Sequence, residues 1–426
     1  MTFYIVTLGC KVNTYESEVI KEKLLSHHFK LAASELESDI IIINTCSVTN
    51  MADNKSKKMV RRAKRLNKVV VVCGCSSENL EKDYQEMGID VLIGNNEKSK
   101  IDVLIKNYLD NKKRYEKFYR TRDLAFEDME VSKFTSLTRA FVKIQDGCNN
   151  FCTYCIIPYV RGNVRNKDFF KAIKEVETLV LNGHKEIVLT GIHTGSYHDN
   201  GKDLADLIHE ISKIKDLKRI RISSIEVTEL NDKMLLEIEK NEKIVNHFHV
   251  PLQAGSNEIL KSMNRKYDLY YFEEKLKRLR QIKKEVSITT DVIVGFPGET
   301  EALFLKTVET VKKFEFSKIH VFPYSIRTGT LASQMTNQVL DSEKHQRSQI
   351  LNQVSLELEQ QFLKSFFNQE LEVLIEQVFE NYSIGTTSNY IKVRLNKKMI
   401  KNEFVKVKIV TCQETYLVGE ELIYIS

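Results

Sequence analysis

The chain has 426 residues, 42% hydrophobic and 29% charged, with a net charge of +6. This is an ordinary composition for a folded globular protein, long enough for about two to four domains at roughly 100 to 200 residues each. No apolar run approaches the roughly 18 residues that span a bilayer, and no basic segment precedes the short first apolar run, so neither membrane insertion nor a signal peptide is expected and the chain is read as cytoplasmic.

Eight cysteines in a reducing compartment point to metal or redox chemistry rather than to a disulfide framework. From the start to about residue 110, short β-branched runs alternate with helix-sized segments. Strands are predicted at 3–8, 39–44, 68–73 and 89–93, with helices at 14–29 and 77–87. Runs that are apolar on both faces imply an open parallel sheet covered by helices. Cys10, Cys46 and Cys75 each follow one of these strands by one to three residues. Strand ends in such a sheet share one crevice, so the three thiols can converge on a second cluster. The alternative is three unrelated core cysteines, the reading preferred for Cys73 and Cys412.

Between Cys46 and the third strand, KSKKMVRRAKRLNK places Lys55, Lys57, Lys58, Arg61, Arg62, Lys64, Arg65 and Lys68 on one predicted helix. Such a run is either a solvated face or a phosphate-binding surface. Residues 111–135 are charged and aperiodic and read as a linker crossing a surface.

Strands at 140–145, 186–190, 219–223, 247–250, 287–294 and 317–322 then alternate with longer helical patterns. Six such units indicate a partial or open (β/α) barrel, with its chemistry at the carboxyl ends of the strands. After the first of these strands come Cys148, Cys152 and Cys155, spaced CxxxCxxC. Three thiolates on one loop suit a 4Fe-4S cluster with one iron left open. S-adenosylmethionine (SAM) would chelate that iron and be cleaved to a radical. A structural zinc loop needs a fourth ligand, and no Cys or His occurs within twenty residues on the C-terminal side. A long helix at 342–366 follows. The tail segments LEVLIEQV, YIKVRLN, EFVKVKIV and ELIYI alternate with period two, which reads as a small all-β module. Its pairs Lys392 with Arg394 and Lys406 with Lys408 each project from one face of a strand. They are either RNA phosphate contacts or the polar outside of a barrel. The overall class is α/β, divided as 1–112, a linker 113–135, 136–366 and 367–426.

With two cysteine triplets, a radical-type loop and a β tail in this order, the chain resembles the methylthiotransferases over essentially its full length. TLGCKVNTYES, INTCSVTNMADNKSKKMVRRAKR, IQDGCNNFCTYCIIPYVRG, VPLQAGSNEILKSMNR and TTDVIVGFPGET look most like the branch acting on N6-threonylcarbamoyladenosine in tRNA. The sister branches act on isopentenyladenosine or on a ribosomal aspartate. The chain departs from the family at GCSSE, at Ala254, and at Ile326 and Thr328.

The resemblance implies that Cys10, Cys46 and Cys75 hold an auxiliary 4Fe-4S cluster, that Cys148, Cys152 and Cys155 hold the radical SAM cluster, and that the tail is a TRAM domain gripping RNA. It further implies that one SAM methylates sulfur on the auxiliary cluster while a second yields the radical that removes hydrogen from adenine C2. The implied partners are tRNA, through its anticodon stem-loop, and an electron donor such as flavodoxin or ferredoxin. Thr190, Gly191, Glu226, Gly295 and Gly298, at or after strand ends, are candidate SAM contacts, although turn glycines also occur for steric reasons alone. A zinc-containing RNA-binding module without catalysis is the alternative from another class.

Overall fold

The computed structural model describes residues 1–119, 122–135 and 137–422. Its first part is a six-stranded parallel sheet of β1 (Thr2–Thr7), β2 (Lys30–Leu31), β3 (Ile40–Thr45), β4 (Val69–Gly74), β5 (Val91–Ile93) and β6 (Tyr115–Lys117), in the order β2-β1-β3-β4-β5-β6. The central strands are apolar on both faces because each face has its own core. Ile40, Ile42, Val71 and Cys73 lie in one cluster, and Ile41, Ile43, Val70 and Val72 in the other. The chain winds outward in opposite directions from β1 and β3, which opens a crevice at their carboxyl ends. Helix α1 (Lys11–Ser26) leaves β1 and helix α2 (Asn50–Arg65) follows β3. The helix expected at 77–87 is two short ones, Cys75–Asn79 and Glu81–Glu86, broken at Leu80.

The charged stretch is exposed or half-buried over most of its described residues, but it is tied down at several points. Tyr115–Lys117 extends the sheet as β6, and Met129, Val131 and Phe134 are buried in the largest core. The mixture of charge and isolated apolar residues hid those three anchors from any periodicity.

Six parallel strands follow: Ala140–Lys143, Glu186–Thr190, Arg219–Ile222, His247–His249, Ser287–Val294 and Lys318–Pro323. The first three pair with one another, as do the last three, and a bridge between Ile220 and Ile244 joins the two sets. Among the described residues the first and last strands do not pair, so the barrel is open. Helix α1 packs along the first strand and the long helix Asp341–Lys364 along the last. Strand alternation sends Ile288 and Val292 outward to the helices and Ser287, Thr289 and Asp291 into the lumen.

The last part is a closed barrel of Glu370–Val378, Ser383–Thr387, Lys392–Leu395, Leu417–Glu421 and Phe404–Cys412, in that spatial order. Ser383–Thr387 was not expected as a strand, because SIGTT carries no apolar alternation. Its Gly385 lies so close to Val373 that a Cβ would meet the valine Cγ1 at 2.4 Å. The final strand begins at Leu417, earlier than the ELIYI segment, whose residues 423–425 lie outside the described residues. Among the described residues no helix is long and apolar enough to cross a membrane.

Candidate active site

Cys10 lies three residues beyond β1, Cys46 follows β3 and Cys75 follows β4, so all three reach the crevice at the strand ends. Two glycines allow the approach. Gly9 has φ +102, and a Cβ there would lie 2.9 Å from the Cys46 sulfur; Gly74 has φ +107, and a Cβ would strike the Thr45 carbonyl oxygen at 2.5 Å. Cys46 senses the charges of both Cys75 and Cys10. Burial pushes the Cys46 thiol up to about 11 and raises that of Cys75 as well. Burial alone disfavours the Cys46 and Cys75 thiolates, and a bound metal centre would supply the compensating charge.

The second set lies on the loop after Ala140–Lys143. Burial first, then the neighbouring charges of Cys152 and Cys148, push the Cys155 thiol up to about 12. The loop is held from outside. Thr153 N–H donates to the Met263 carbonyl at 3.1 Å, and Asn264 Nδ2 donates to the carbonyls of Asn150 and Phe151.

Two carboxylates are connected to the sulfurs through cations. Arg265 donates to Cys152 Sγ at 3.3 Å and pairs with Glu226. His193 sits 3.9 Å from Cys148 Sγ through Nδ1, while its Nε2 faces Glu229. Three converging thiols with basic neighbours and no further cysteine in the loop fit a 4Fe-4S cluster with one iron open to substrate. Cys73 is in the sheet core and Cys412 ends a barrel strand, both apart from these sets.

Arg161 joins the two sets. It is fully buried six residues after Cys155, and its Nε donates to Cys75 Sγ at 3.1 Å. Its Nη1 donates to Glu16 and Asp146, both at 3.1 Å, and its Nη2 to Asn13 at 2.9 Å. Cys75 also packs on Ile156 and Val160, the residues that continue from Cys155. On the other flank Arg327 reaches Ser47 at 2.7 Å, Asn50 at 2.7 Å and Asp53 at 2.5 Å, tying the segment after Cys46 to the loop after the last barrel strand.

Of the candidate SAM contacts, Thr190 is buried at its strand end and Glu226 is the partner of Arg265. Gly191 is packed on Gln145, whose Oε1 a Cβ would meet at 2.8 Å, and Gly295 on the Lys344 side chain at 2.3 Å. Gly298 has open space and φ +85. The two packed glycines therefore have steric reasons of their own. The sequence reading missed Arg161, His193, Glu229 and Arg265. Only Arg161, six residues after Cys155, lay near a cysteine motif; Arg265 is 113 residues from Cys152 in the chain and His193 is 45 from Cys148.

On α2, Lys55, Lys58, Arg61 and Arg65 are exposed in one stripe and make no ion pair among the described residues. Lys57 pairs with Asp83 at 3.1 Å, Arg62 with Glu35 at 2.8 Å, and Lys64 donates to the Gly88 carbonyl at 2.9 Å. In the tail, Lys406 and Lys408 stand opposite Glu372 and Glu370 in the strand register. Lys392 and Arg394 instead line a cavity shared with the central barrel.

Residues 142–311 match the radical SAM superfamily, and residues 2–94 match the family described as uncharacterized protein family UPF0004. The chain is 40% identical to the threonylcarbamoyladenosine tRNA methylthiotransferase MtaB of Bacillus subtilis, covering 97% of this chain and 95% of that one. It is 36% identical to the MtaB of Rickettsia prowazekii, with 97% and 96% covered. The fold is shared with the radical SAM methyltransferase TsrM of Kitasatospora setae, solved with cobalamin and a [4Fe-4S] cluster, at 12% identity and a TM-score of 0.57 over 78% of this chain and 76% of that one. Matched along its length in sequence and carrying both thiol sets, the chain belongs to the radical SAM methylthiotransferase family.

Proposed function

We propose that the enzyme adds a methylthio group to C2 of N6-threonylcarbamoyladenosine next to the anticodon of tRNA, inside the cell. The observation that carries this reading is the bridge of Arg161 from the loop of Cys155 to the sulfur of Cys75, because it makes one site of two thiol sets. The names of the relatives support the nucleoside.

Cys148, Cys152 and Cys155 would hold one 4Fe-4S cluster, and Cys10, Cys46 and Cys75 the other. When bound, SAM and the clusters supply the methyl group, the electron, the hydrogen-abstracting radical and the sulfur. Arg265 and His193 place positive charge and hydrogen-bond donors beside the sulfurs of Cys152 and Cys148. Arg161 does the same for Cys75 and fixes the separation of the two sets. Ile156, Ile157 and Val160 give the Cys75 side of the site an apolar wall. The free stripe of α2, which starts four residues after Cys46, offers phosphate contacts that position RNA without reading its sequence. A small electron-transfer protein such as flavodoxin or ferredoxin would deliver the electrons.

The test is nucleoside mass spectrometry of tRNA from cells with and without the gene. Loss of 2-methylthio-N6-threonylcarbamoyladenosine is expected. An unchanged level, in a cell with no second such enzyme, overturns the reading. Loss of the isopentenyl counterpart, or of a methylthio group from a ribosomal peptide, would assign the sister reaction instead.

A further inference from the structure

The central barrel lumen is a cavity of about 1000 Å³, at the upper end of ordinary ligand pockets. Its walls come from three parts of the chain: the strands carrying His247, His249, Asp291 and His320; Lys11, next to Cys10; and Tyr390, Lys392 and Arg394 of the C-terminal barrel. The two carboxylates in this wall are already matched. Asp291 lies 3.2 Å from His249 Nε2, with His320 beside both, and Glu359 pairs with Lys318 at 2.9 Å.

Two of the cations in the wall are not matched. Lys11 and Arg394 make no ion pair among the described residues. Arg394 lies over the Tyr382 ring at 4.5 Å, and its buried Nε has no acceptor. His247, 4% exposed, and Arg221, 1% exposed, also leave Nδ1 and Nη2 without a partner. Buried donors left unpaired in this number are costly unless a ligand supplies oxygens.

We propose that the lumen is the pocket for the N6 substituent of the substrate nucleoside, with Lys11 and Arg394 binding the carboxylate of its threonylcarbamoyl group. This rests on the function proposed above. In adenine, C2 and C6 flank N1, so their substituents diverge. A ring held with C2 between the thiol sets needs separate space for its N6 group, and the lumen is lined by Lys11, the residue after Cys10 in the chain. A neutral apolar substituent would leave the same donors unpaired. The cavity therefore selects for a charged substituent, and Lys11 and Arg394 are specificity-determining residues.

The test uses the holoenzyme and an anticodon stem-loop RNA carrying either N6-threonylcarbamoyladenosine or its uncharged methyl ester. Kd is measured by anisotropy without reductant, and kcat/KM with it. Wild type is expected to favour the acid over the ester by about 10- to 100-fold, the range of a charge-assisted hydrogen bond. Lys11→Gln and, away from the cysteines, Arg394→Gln should each weaken the acid about tenfold and leave the ester unchanged. Equal weakening of both RNAs would mean that the cations hold a backbone phosphate, and would overturn the proposal while leaving the proposed function intact. A wild-type enzyme that converts neither RNA would overturn that function and the pocket with it.

Discussion

Replacing Arg161 by Met removes four donated hydrogen bonds from the buried centre of the molecule at nearly constant volume. Glu16 keeps Lys98 at 2.7 Å and Lys143 at 2.9 Å, and Asp146 keeps Lys143 at 2.7 Å and Arg165 at 3.1 Å. Neither carboxylate is left alone, so the cost lies at the lower end of the roughly 3 to 5 kcal/mol for breaking a buried ion pair, about 3 kcal/mol. For an unfolding slope of about 3 kcal/mol/M, this lowers the urea midpoint by ~1 M. The chain has no Trp, so circular dichroism of the metal-free protein is the suitable signal. Arg161→Lys, a point charge without the planar fork, should fall between the two. A Met variant within ~0.2 M of wild type would refute the view that this guanidinium holds the first sheet to the barrel.

Cys152→Ala is expected to abolish release of 5′-deoxyadenosine from SAM, whereas Cys46→Ala should keep that release and lose the methylthio product; chromatography of both products checks this. Lys58→Gln, Arg61→Gln and Arg65→Gln together should lower the salt slope of tRNA binding by up to about 0.9 per lost phosphate contact, read from titrations at several salt concentrations. Glu186 is fully buried; burial alone would raise its pKa, but Arg221 and then Arg139 hold it below the ordinary value. Its ionised form therefore adds stability that is complete above the unfolded glutamate value of about 4.3 and is lost as pH falls through the lower folded value. Urea midpoints should show wild type well above Glu186→Gln at pH 7, with the gap closing below about pH 4.

The cysteine spacing, the alternation of strands with helices and the period-two tail were legible because each is local: one motif, one period, one stretch of chain. The open barrel and both thiol sets follow from them. What sequence could not show is pairing across distance. Arg265 meets Cys152, and Arg161 meets Glu16, only because the folding of the barrel and the docking of α1 bring them together. The same holds for Lys392 and Arg394. Their alternation was visible, yet it could not tell a solvent face from a wall turned towards another domain. Met129 and Phe134 were lost for a related reason, since an isolated apolar residue in a charged stretch has no period to announce it.

The fully buried carboxylate of Glu16 also sets an order in time. During synthesis its first basic partner, Lys98, emerges well before Lys143 and Arg161. At roughly 5 to 20 residues per second, about 3 to 13 seconds separate Lys98 from Arg161. Until then the first sheet has its three thiols but lacks the guanidinium that braces Cys75. The surroundings of Cys75 are thus completed only once the barrel's opening segment has been translated, and a ribosome paused between the two would hold Cys75 without its guanidinium.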